Sequence, residues 1–253
     1  MMAASTTIIF VPGAWHSPEC YRKLLQPLQA EGYNTSLVYL PTINPSVPQP
    51  DWSADVTAIK TAIKTAADSG QKVRLVVHSY GGLPGSEAVK DLDWKTRERN
   101  SLPGGVTHLL YVCAFIVPLG QSLLRAVGGK DLPWWDVSPD RRTMAPLTPE
   151  KIFYNDLPPE SEEVRTAVAA LSPQSYQAFG SEVTYEAWRD VPTTYLYCLR
   201  DQAIDIGVQR KFVEDIARGA GIRTESVDAG HSPFYSAPEE LVKVIKRAAG
   251  EKV

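Results

Sequence analysis

The sequence predicts a single α/β domain built on a mostly parallel β-sheet. Six short apolar segments of strand type recur along the 253 residues, and segments with the spacing of amphipathic helices lie between them. Strands that are apolar on both faces and alternate with helices are typical of a parallel sheet that is covered by helices on both sides. The chain length and a hydrophobic content of 43% allow one large domain with a sizeable core.

Each predicted strand is a run of β-branched, aromatic or other apolar residues. The strands are Thr6–Val11, Thr35–Leu40, Val73–His78, Thr107–Cys113, Thr193–Cys198 and Ile222–Val227. The predicted helices repeat apolar residues three and four positions apart. They are Pro18–Glu31, Trp52–Ala67, Val208–Ala217 and Pro238–Ala249. Each helix falls between two strands or after the last one, as expected when helices connect parallel strands.

The alternation of strands and helices is interrupted once, between Cys113 and Thr193. This stretch of about 80 residues contains no convincing strand but carries proline and glycine breakers and helical segments such as Glu160–Leu171. A structureless loop of this length would be unusual in a compact domain. The stretch is therefore predicted to be a helical lid, residues 115–189, inserted into a core formed by residues 1–114 and 190–253.

Composition excludes several classes of partner. The chain has 26 lysine and arginine residues against 29 acidic ones, a net charge of −3, and no basic stripe that would bind nucleic acid. The first residues lack the features of a signal peptide, and no window approaches the roughly 18 apolar residues of a membrane span. The sequence predicts a soluble, cytoplasmic protein and leaves its oligomeric state open.

The segment Arg74–Gly85, RLVVHSYGGLPG, places one serine between a buried strand and a cluster of glycines. A strand that ends at His78 and turns into a helix within about two residues forces Ser79 into a strained backbone conformation with an exposed hydroxyl. The following helix directs free N–H groups towards the same point, where they would stabilise a negative oxygen. The pattern favours Ser79 as a nucleophile, although Val77 stands where the G-x-S-x-G motif has its first glycine.

A serine hydroxyl is a weak nucleophile unless a histidine accepts its proton and a carboxylate orients that histidine. His231 follows the sixth predicted strand and Asp201 the fifth, so that both are expected at the same sheet edge as Ser79. The chain order Ser79, Asp201, His231 is the one expected of an α/β-hydrolase, and it predicts a catalytic triad. Asp205 is the alternative acid, but it resembles a helix N-cap.

The oxyanion formed during attack on a carbonyl needs two preorganised N–H donors. Tyr80, which follows the nucleophile, is predicted to supply one backbone N–H, and Ala14 in the loop VPGAW after the first strand is predicted to supply the other. Gly13 would allow the close approach of this loop.

The remaining histidines and cysteines are expected to be structural. His78 should pack beneath the serine, His108 should be structural in its strand, and His16 should lie beside the pocket. The three cysteines are Cys20, Cys113 and Cys198. They are far apart in the sequence without a CxxC pair, and are therefore expected to be buried apolar residues rather than a disulfide framework or a metal site.

The segments FVPGAWHSPECYRKLLQPLQAEGY, LVVHSYGG, CLRDQAI and AGHSPF resemble the small, lid-bearing α/β-hydrolases related to plant methylesterases and hydroxynitrile lyases, and in particular a fungal branch associated with esters and lactones of secondary metabolites. The resemblance implies a cofactor-free enzyme with Ser79 as nucleophile, His231 as general base, Asp201 as the orienting acid, and Ala14 and Tyr80 in the oxyanion hole. The chain has Pro12 where the family usually has a histidine.

The predicted lid is rich in aromatic residues, more than it could bury within itself, so that some are expected to line an apolar cavity above Ser79. The predicted substrate-binding residues are Trp15, Trp134, Trp135, Phe153, Tyr154 and Tyr176. Asn155 or Asp156 could orient a polar group of the substrate. Because no cluster of lysine or arginine lies near the expected mouth, the substrate is predicted to be neutral or weakly acidic rather than phosphorylated.

The sequence thus predicts a serine hydrolase of a moderately large apolar ester, lactone or thioester, which acts through an acyl-enzyme on Ser79. An internal hydroxyl of the substrate could replace water and give macrolactonisation. Cleavage of a β-diketone by the same triad is an alternative. A hydroxynitrile lyase is disfavoured because Ser232 and Pro233 stand where a lysine would be expected after the histidine, and a receptor that binds a small ligand without turnover is a further alternative.

Overall fold

Nine strands lie within residues 5–251, the part of the chain that the computed structural model describes. They are β1 (Thr6–Val11), β2 (Asn34–Leu37), β3 (Lys72–His78), β4 (Gly105–Val112), β5 (Trp135–Val137), β6 (Thr143–Pro146), β7 (Gln174–Ser175), β8 (Thr193–Cys198) and β9 (Arg223–Val227). Six of them form one sheet in the order β2-β1-β3-β4-β8-β9. Every pair of neighbours in this sheet is parallel. The predicted α/β class and all six predicted strands are confirmed.

The described residues contain ten α-helices. They are α1 (Arg22–Ala30), α2 (Ser53–Asp68), α3 (Gly82–Ala88), α4 (Trp94–Arg99), α5 (Leu123–Ala126), α6 (Pro149–Ile152), α7 (Glu162–Ala169), α8 (Ile206–Lys211), α9 (Pro233–Ser236) and α10 (Pro238–Ala248). The predicted first helix divides into a 3₁₀ turn, Pro18–Tyr21, and α1. The predicted helix at Val208–Ala217 begins as α8 and continues as a π-helical turn, Phe212–Ile216. Every helix of the described residues is too short or too polar to span a membrane.

The central strands are apolar on both faces because helices cover both. Along β1, Ile8 and Phe10 pack in the apolar layer that includes α1 and α10, whereas Ile9 and Val11 pack in the layer that includes α2 and α3. The second strand is shorter than the predicted Thr35–Leu40, since its parallel pairing with β1 ends at Leu37. Because all six strands run parallel, the carboxyl ends of β3, β8 and β9 lie at one edge of the sheet.

The insertion, residues 115–189, is not wholly helical, and the expectation that it contains no strand is wrong. It holds β5, β6 and β7, which form a small antiparallel sheet. These strands have two to four residues, too few for a period of two to be recognised in the sequence. One of their pairings, Met144 with Gln174, also joins positions that are far apart in the chain.

Several hydrogen bonds join the insertion to the core. Glu87 of α3 accepts from the Thr184 hydroxyl at 2.7 Å and from the Tyr185 N–H at 2.9 Å. On another side, the Ser175 N–H donates to the Thr42 carbonyl at 2.8 Å. The insertion is thereby held against the edge of the sheet at which β3, β8 and β9 end.

Candidate active site

The turn after β3 holds Ser79 in the conformation that the sequence predicts. Ser79 has a φ of +51°, in the left-handed region that a non-glycine residue rarely adopts. It opens a 3₁₀ turn, Ser79–Gly81, that leads directly into α3. Gly81 is required there because a Cβ atom would collide with the Pro12 carbonyl oxygen. The strained turn directs the serine side chain away from the strand and towards the insertion.

The missing first glycine of the serine motif is compensated within α3. Val77 is buried in β3, and a Cβ atom on Gly85 of α3 would lie 2.6 Å from its Cγ1. The space that a glycine before the serine would leave is therefore filled by the Val77 side chain, and the glycine is found on the helix instead. Helix α3 and strand β3 therefore still pack closely, with the larger side chain on the strand and the glycine on the helix.

Three side chains from three loops form a continuous hydrogen-bonded chain. His231 Nε2 lies 3.0 Å from Ser79 Oγ, and His231 Nδ1 lies 2.8 Å from Asp201 Oδ2. All three residues are buried. Because a carboxylate only accepts hydrogen bonds, Nδ1 carries the proton and Nε2 is left to accept from the serine hydroxyl.

Hydrogen bonds from its own loop fix the orientation of Asp201. Its Oδ1 accepts from the N–H groups of Ala203 at 2.8 Å and Ile204 at 2.9 Å, and its Oδ2 accepts from Gln209 Nε2 at 3.2 Å. Asp205, the alternative acid of the sequence analysis, instead caps α8 by accepting from the Gly207 N–H at 2.7 Å. Asp201 is thus the carboxylate that contacts His231.

The other described histidines support the site or the sheet. His78 Nε2 lies 2.8 Å from the His231 carbonyl oxygen, and burial holds the pKa of His78 well below its ordinary value. His16 Nδ1 donates to the Ala14 carbonyl at 2.7 Å, while its Nε2 lies 3.1 Å from the Tyr154 hydroxyl. Burial lowers the pKa of His16 to about 4, with a bond to Ala14 opposing the shift and nearby His231 adding to it. These rings are therefore neutral at pH 7.

One of the three cysteines, Cys113, lies close to two histidines of the site. All three cysteines are free and buried, as predicted. Potential ligand atoms of His78, Cys113 and His231 nevertheless lie within 4.8 Å of one another. Both ring nitrogens of His231 already contact Ser79 and Asp201, and burial raises the pKa of the Cys113 thiol. A metal ion would have to break the serine–histidine–aspartate chain to bind there, so the arrangement does not fit a metal centre.

The two predicted oxyanion donors lie beside Ser79. Ala14 and Tyr80 both line the cavity that Ser79 opens into. The Trp15 N–H donates to Gln174 Oε1 at 3.1 Å, whereas the Ala14 N–H makes no hydrogen bond to another residue within 5–251. The first loop can approach this closely because residue 13 is a glycine; a Cβ atom there would lie 2.9 Å from Ser79 Cβ. The Ala14 N–H is thus left free to bind an oxygen in the cavity.

A small cavity lies between the sheet edge and the insertion. Four of the six predicted substrate-binding residues line it, namely Trp15, Trp134, Trp135 and Phe153. Sequence reasoning missed six more: Phe115, Leu123, Leu132, Phe179, Ala203 and Ile204. Among these, Phe115 and Phe179 carried a signal, because both are aromatic residues of the insertion. The lining contains no lysine, arginine, aspartate or glutamate.

The assignment of Tyr154 and Tyr176 to the cavity is wrong. The Tyr154 hydroxyl bonds to His16, and the Tyr176 hydroxyl donates to Asp131 at 2.7 Å; neither partner lines the cavity. Each phenol group has a polar partner outside the cavity, which draws its ring away from an apolar lining.

Asn155 and Asp156 also serve the protein rather than a ligand. Asn155 Nδ2 donates to the Arg200 carbonyl at 2.9 Å, and Asp156 Oδ2 accepts from the Gly230 N–H at 2.6 Å. These two contacts attach the insertion to the loops that carry Asp201 and His231. The expectation that either side chain orients a substrate is therefore not supported.

The sheet, the serine elbow and the buried histidine–aspartate pair define an enzyme of the α/β-hydrolase class. The chain belongs to the alpha/beta hydrolase family, whose profile matches residues 8–244.

Individual relatives cover almost the whole chain. The α/β hydrolase nvfD of Aspergillus novofumigatus is 34% identical over 97% of both chains. Methylesterase 7 of Arabidopsis thaliana is 24% identical over 95% of both chains. Among solved structures, a pyrethroid hydrolase of Sphingobium faniae superposes with a TM-score of 0.77 at 22% identity over 98% of both chains. The resemblance to a branch with fungal hydrolases and plant methylesterases is confirmed.

Proposed function

We propose that the protein is a serine hydrolase that cleaves a carboxylic ester of an apolar small molecule through an acyl-enzyme on Ser79. The observation that carries the proposal is the buried chain from Asp201 through His231 to Ser79, which ends at an apolar cavity. The esterase name of the plant relative supports the choice of an ester bond.

In the first half of the proposed reaction, Ser79 Oγ attacks the substrate carbonyl carbon while its proton passes to His231 Nε2. The imidazolium that forms is stabilised by Asp201, which lies 2.8 Å from Nδ1. The negative charge that develops on the carbonyl oxygen is bound by the N–H groups of Ala14 and Tyr80. Collapse of this intermediate breaks the ester bond, and His231 returns the proton to the leaving alcohol.

In the second half, water replaces the alcohol. His231 Nε2 takes a proton from the water, whose oxygen attacks the acyl carbon, and the same two N–H groups bind the new oxyanion. Release of the acid restores the Ser79 hydroxyl. Lactones and thioesters present the same carbonyl to the same groups and fall within the proposal, with a hydroxyl of the substrate itself as a possible acceptor in place of water.

The substrate is proposed to be neutral where it enters the cavity. Charged side chains are absent from the lining, and a buried charge without a partner would be costly. The free space inside the cavity is about 20 Å³, roughly the room for one water molecule, so we propose that only one part of the substrate enters it, as lining side chains move aside. We propose that the insertion, residues 115–189, acts as the lid that selects this part.

A fluorophosphonate probe tests the proposal without knowledge of the natural substrate, since it phosphonylates an activated serine. Peptide mass mapping is expected to find the label on Ser79, and Ser79→Ala is expected to lose both the label and p-nitrophenyl ester hydrolysis by at least about 10³-fold.

Ser232→Ala is the matched control. Ser232 is buried one residue from His231, and its hydroxyl makes no hydrogen bond within the described residues. This variant should keep both labelling and hydrolysis. Hydrolysis that survives in Ser79→Ala, or a label on another residue, would overturn the assignment of Ser79.

A further inference from the structure

One fully buried carboxylate lies outside the triad. Asp55 of α2 is 0% exposed and accepts three hydrogen bonds, from the Thr42 N–H at 2.9 Å, the Thr42 hydroxyl at 2.7 Å and the Tyr80 hydroxyl at 2.8 Å. No lysine, arginine or histidine among residues 5–251 pairs with it. Burying an acid is expensive unless each oxygen is satisfied, and here both carboxylate oxygens accept hydrogen bonds.

The hydrogen bonds continue beyond Thr42. The Thr42 hydroxyl accepts from Gln174 Nε2 at 3.0 Å, and Gln174 Oε1 accepts from the Trp15 N–H at 3.1 Å. Thr42 and Gln174 are both fully buried. An unbroken polar chain therefore runs through the interior from Tyr80 to Trp15 by way of Asp55, Thr42 and Gln174.

The two ends of this chain are the two segments that carry the proposed oxyanion donors. Tyr80 follows the nucleophile, and Trp15 follows Ala14 in the first loop. We propose that Asp55 is a positioning residue that sets the spacing of the Ala14 and Tyr80 N–H groups. The inference rests on the proposed function, because it concerns the oxyanion hole of that reaction.

A carboxylate suits this role better than its amide. As a carboxylate, Asp55 accepts all three donors at once, whereas an asparagine would turn an N–H₂ group towards hydroxyls that now donate. The Tyr80 ring is also stacked on Phe179 of the insertion, with centroids 5.1 Å apart and planes at 17°. The ring is held at its hydroxyl and on its face, which restricts the backbone of Tyr80 and hence the direction of its N–H.

Small displacements of such donors matter greatly. Misplacing a reacting group by about 1 Å costs roughly 100-fold in rate, and losing one oxyanion donor costs about 100- to 1,000-fold. Asp55→Asn is therefore expected to lower kcat by roughly 10- to 100-fold while KM changes by less than about threefold. Tyr80→Phe, which keeps the backbone N–H but loses the bond to Asp55, should give a loss of the same size.

The discriminating measurement uses a pair of inhibitors on each purified full-length variant. A trifluoromethyl ketone adds Ser79 Oγ to its carbonyl, passes the serine proton to His231 and presents an oxyanion, whereas the matching methyl ketone binds largely as the intact ketone. The inference predicts that Asp55→Asn and Tyr80→Phe weaken the first inhibitor by the same factor as kcat/KM and leave the second within about threefold. A merely structural role would weaken both inhibitors alike.

Two further comparisons separate the possible failures. The double variant Asp55→Asn/Tyr80→Phe should be no worse than the poorer single variant, since both break one chain. Asp68→Asn, the same change at the exposed end of α2, should leave both inhibitors unaffected. If the probe fails to label Ser79 in the wild type, the proposed function is wrong. If it labels Ser79 and Tyr80→Phe, or a folded Asp55→Asn, binds the trifluoromethyl ketone normally, this inference alone is wrong.

Discussion

The sheet edge and the insertion contribute different kinds of side chain to the cavity. The sheet edge places the polar side chains of the triad, and hydrogen bonds fix them, as for Asp201 and its partners Ala203, Ile204 and Gln209 at 2.8–3.2 Å. The insertion contributes rings that touch one another edge to face, such as Trp134 with Phe153 at 5.6 Å between centroids. Hydrogen bonds hold atoms at defined positions, whereas ring contacts tolerate repacking. We propose that the two regions divide the work, with the chemistry at the sheet edge and the selection of substrate in the insertion.

The largest expected effect comes from breaking the chemistry alone. Asp201→Asn should keep the loop folded, because the amide oxygen still accepts from the Ala203 and Ile204 N–H groups. Its amide nitrogen, however, faces His231 Nδ1 as a donor and favours the tautomer with a proton on Nε2. We expect kcat for p-nitrophenyl butyrate to fall by about 10⁴-fold.

Asp205→Asn is the control for this change, since asparagine also caps a helix. It should retain kcat within about threefold. Activity of Asp201→Asn above a tenth of the wild type, with an unchanged circular dichroism spectrum, would mean that the proton transfer does not run through this pair.

The same contrast explains how much the sequence predicts. Ser79, Asp201 and His231 could be found because each follows an apolar strand, and the ends of parallel strands meet at one edge. The chain Asp55–Thr42–Gln174 could not, because its members come from three segments with no local pattern. Whether an aromatic residue of the insertion faces the cavity, as Phe179 does, depends on packing between distant segments that no periodicity records.

A second prediction concerns the pH dependence of stability and compares a histidine in the sheet with one beside the insertion. His108 of β4 lies 2.9 Å from the Thr194 hydroxyl, and burial together with nearby Arg74 and Arg223 lowers its pKa to about 4. His16, beside the insertion, has a pKa of about 4 as well. The unfolded chain binds protons near pH 6.5, so the free energy of unfolding is expected to fall as pH drops from 6.5 to 4, by about 3 kcal/mol for each histidine.

Urea denaturation at pH 7.5 and pH 5 measures this loss. His108→Gln removes one titrating group and should reduce the loss at pH 5 by about 2 kcal/mol, with little change in esterase activity. An equal loss of stability in wild type and variant would show that the acid sensitivity arises outside the sheet histidine.

A third effect tests the exchange of packing partners beneath the elbow. Gly85→Ala would place a Cβ atom 2.6 Å from Val77 Cγ1 and is expected to destabilise the fold by about 1–2 kcal/mol, in spite of the helix propensity of alanine. Val77→Ala/Gly85→Ala should be more stable than Val77→Ala, because the new methyl group fills the space left by the valine. Thermal unfolding of the three variants measures the stability lost in Gly85→Ala and the stability regained in the double variant.

Gly180→Ala provides the control in the insertion, since a Cβ atom there meets no other atom within 4 Å. It should shift the midpoint of unfolding by less than about 2 °C. If Gly85→Ala is equally silent, the contact with Val77 does not account for the departure from the G-x-S-x-G motif.

The smallest expected effect concerns the preference for substrate chain length and leaves the reactivity of Ser79 unchanged. Trp134 is half-buried, lines the cavity and contacts Trp15 at 5.6 Å between centroids. Trp134→Ala enlarges the apolar space and should raise the ratio of kcat/KM for p-nitrophenyl octanoate over the acetate by about tenfold. Fluorophosphonate labelling of Ser79 should proceed at the wild-type rate within about threefold.

Tyr176→Phe decides whether this selectivity belongs to the cavity or to the insertion as a whole. Tyr176 lies in the same insertion but bonds outward to Asp131, so its loss of a hydroxyl should leave the chain-length ratio unchanged. If Tyr176→Phe shifts the ratio as strongly as Trp134→Ala, chain length is sensed by the fit of the insertion on the sheet and not by the rings that face Ser79. The two regions would then be mechanically coupled. The coupling would act through Asp156, which joins the insertion to the Gly230 N–H beside His231.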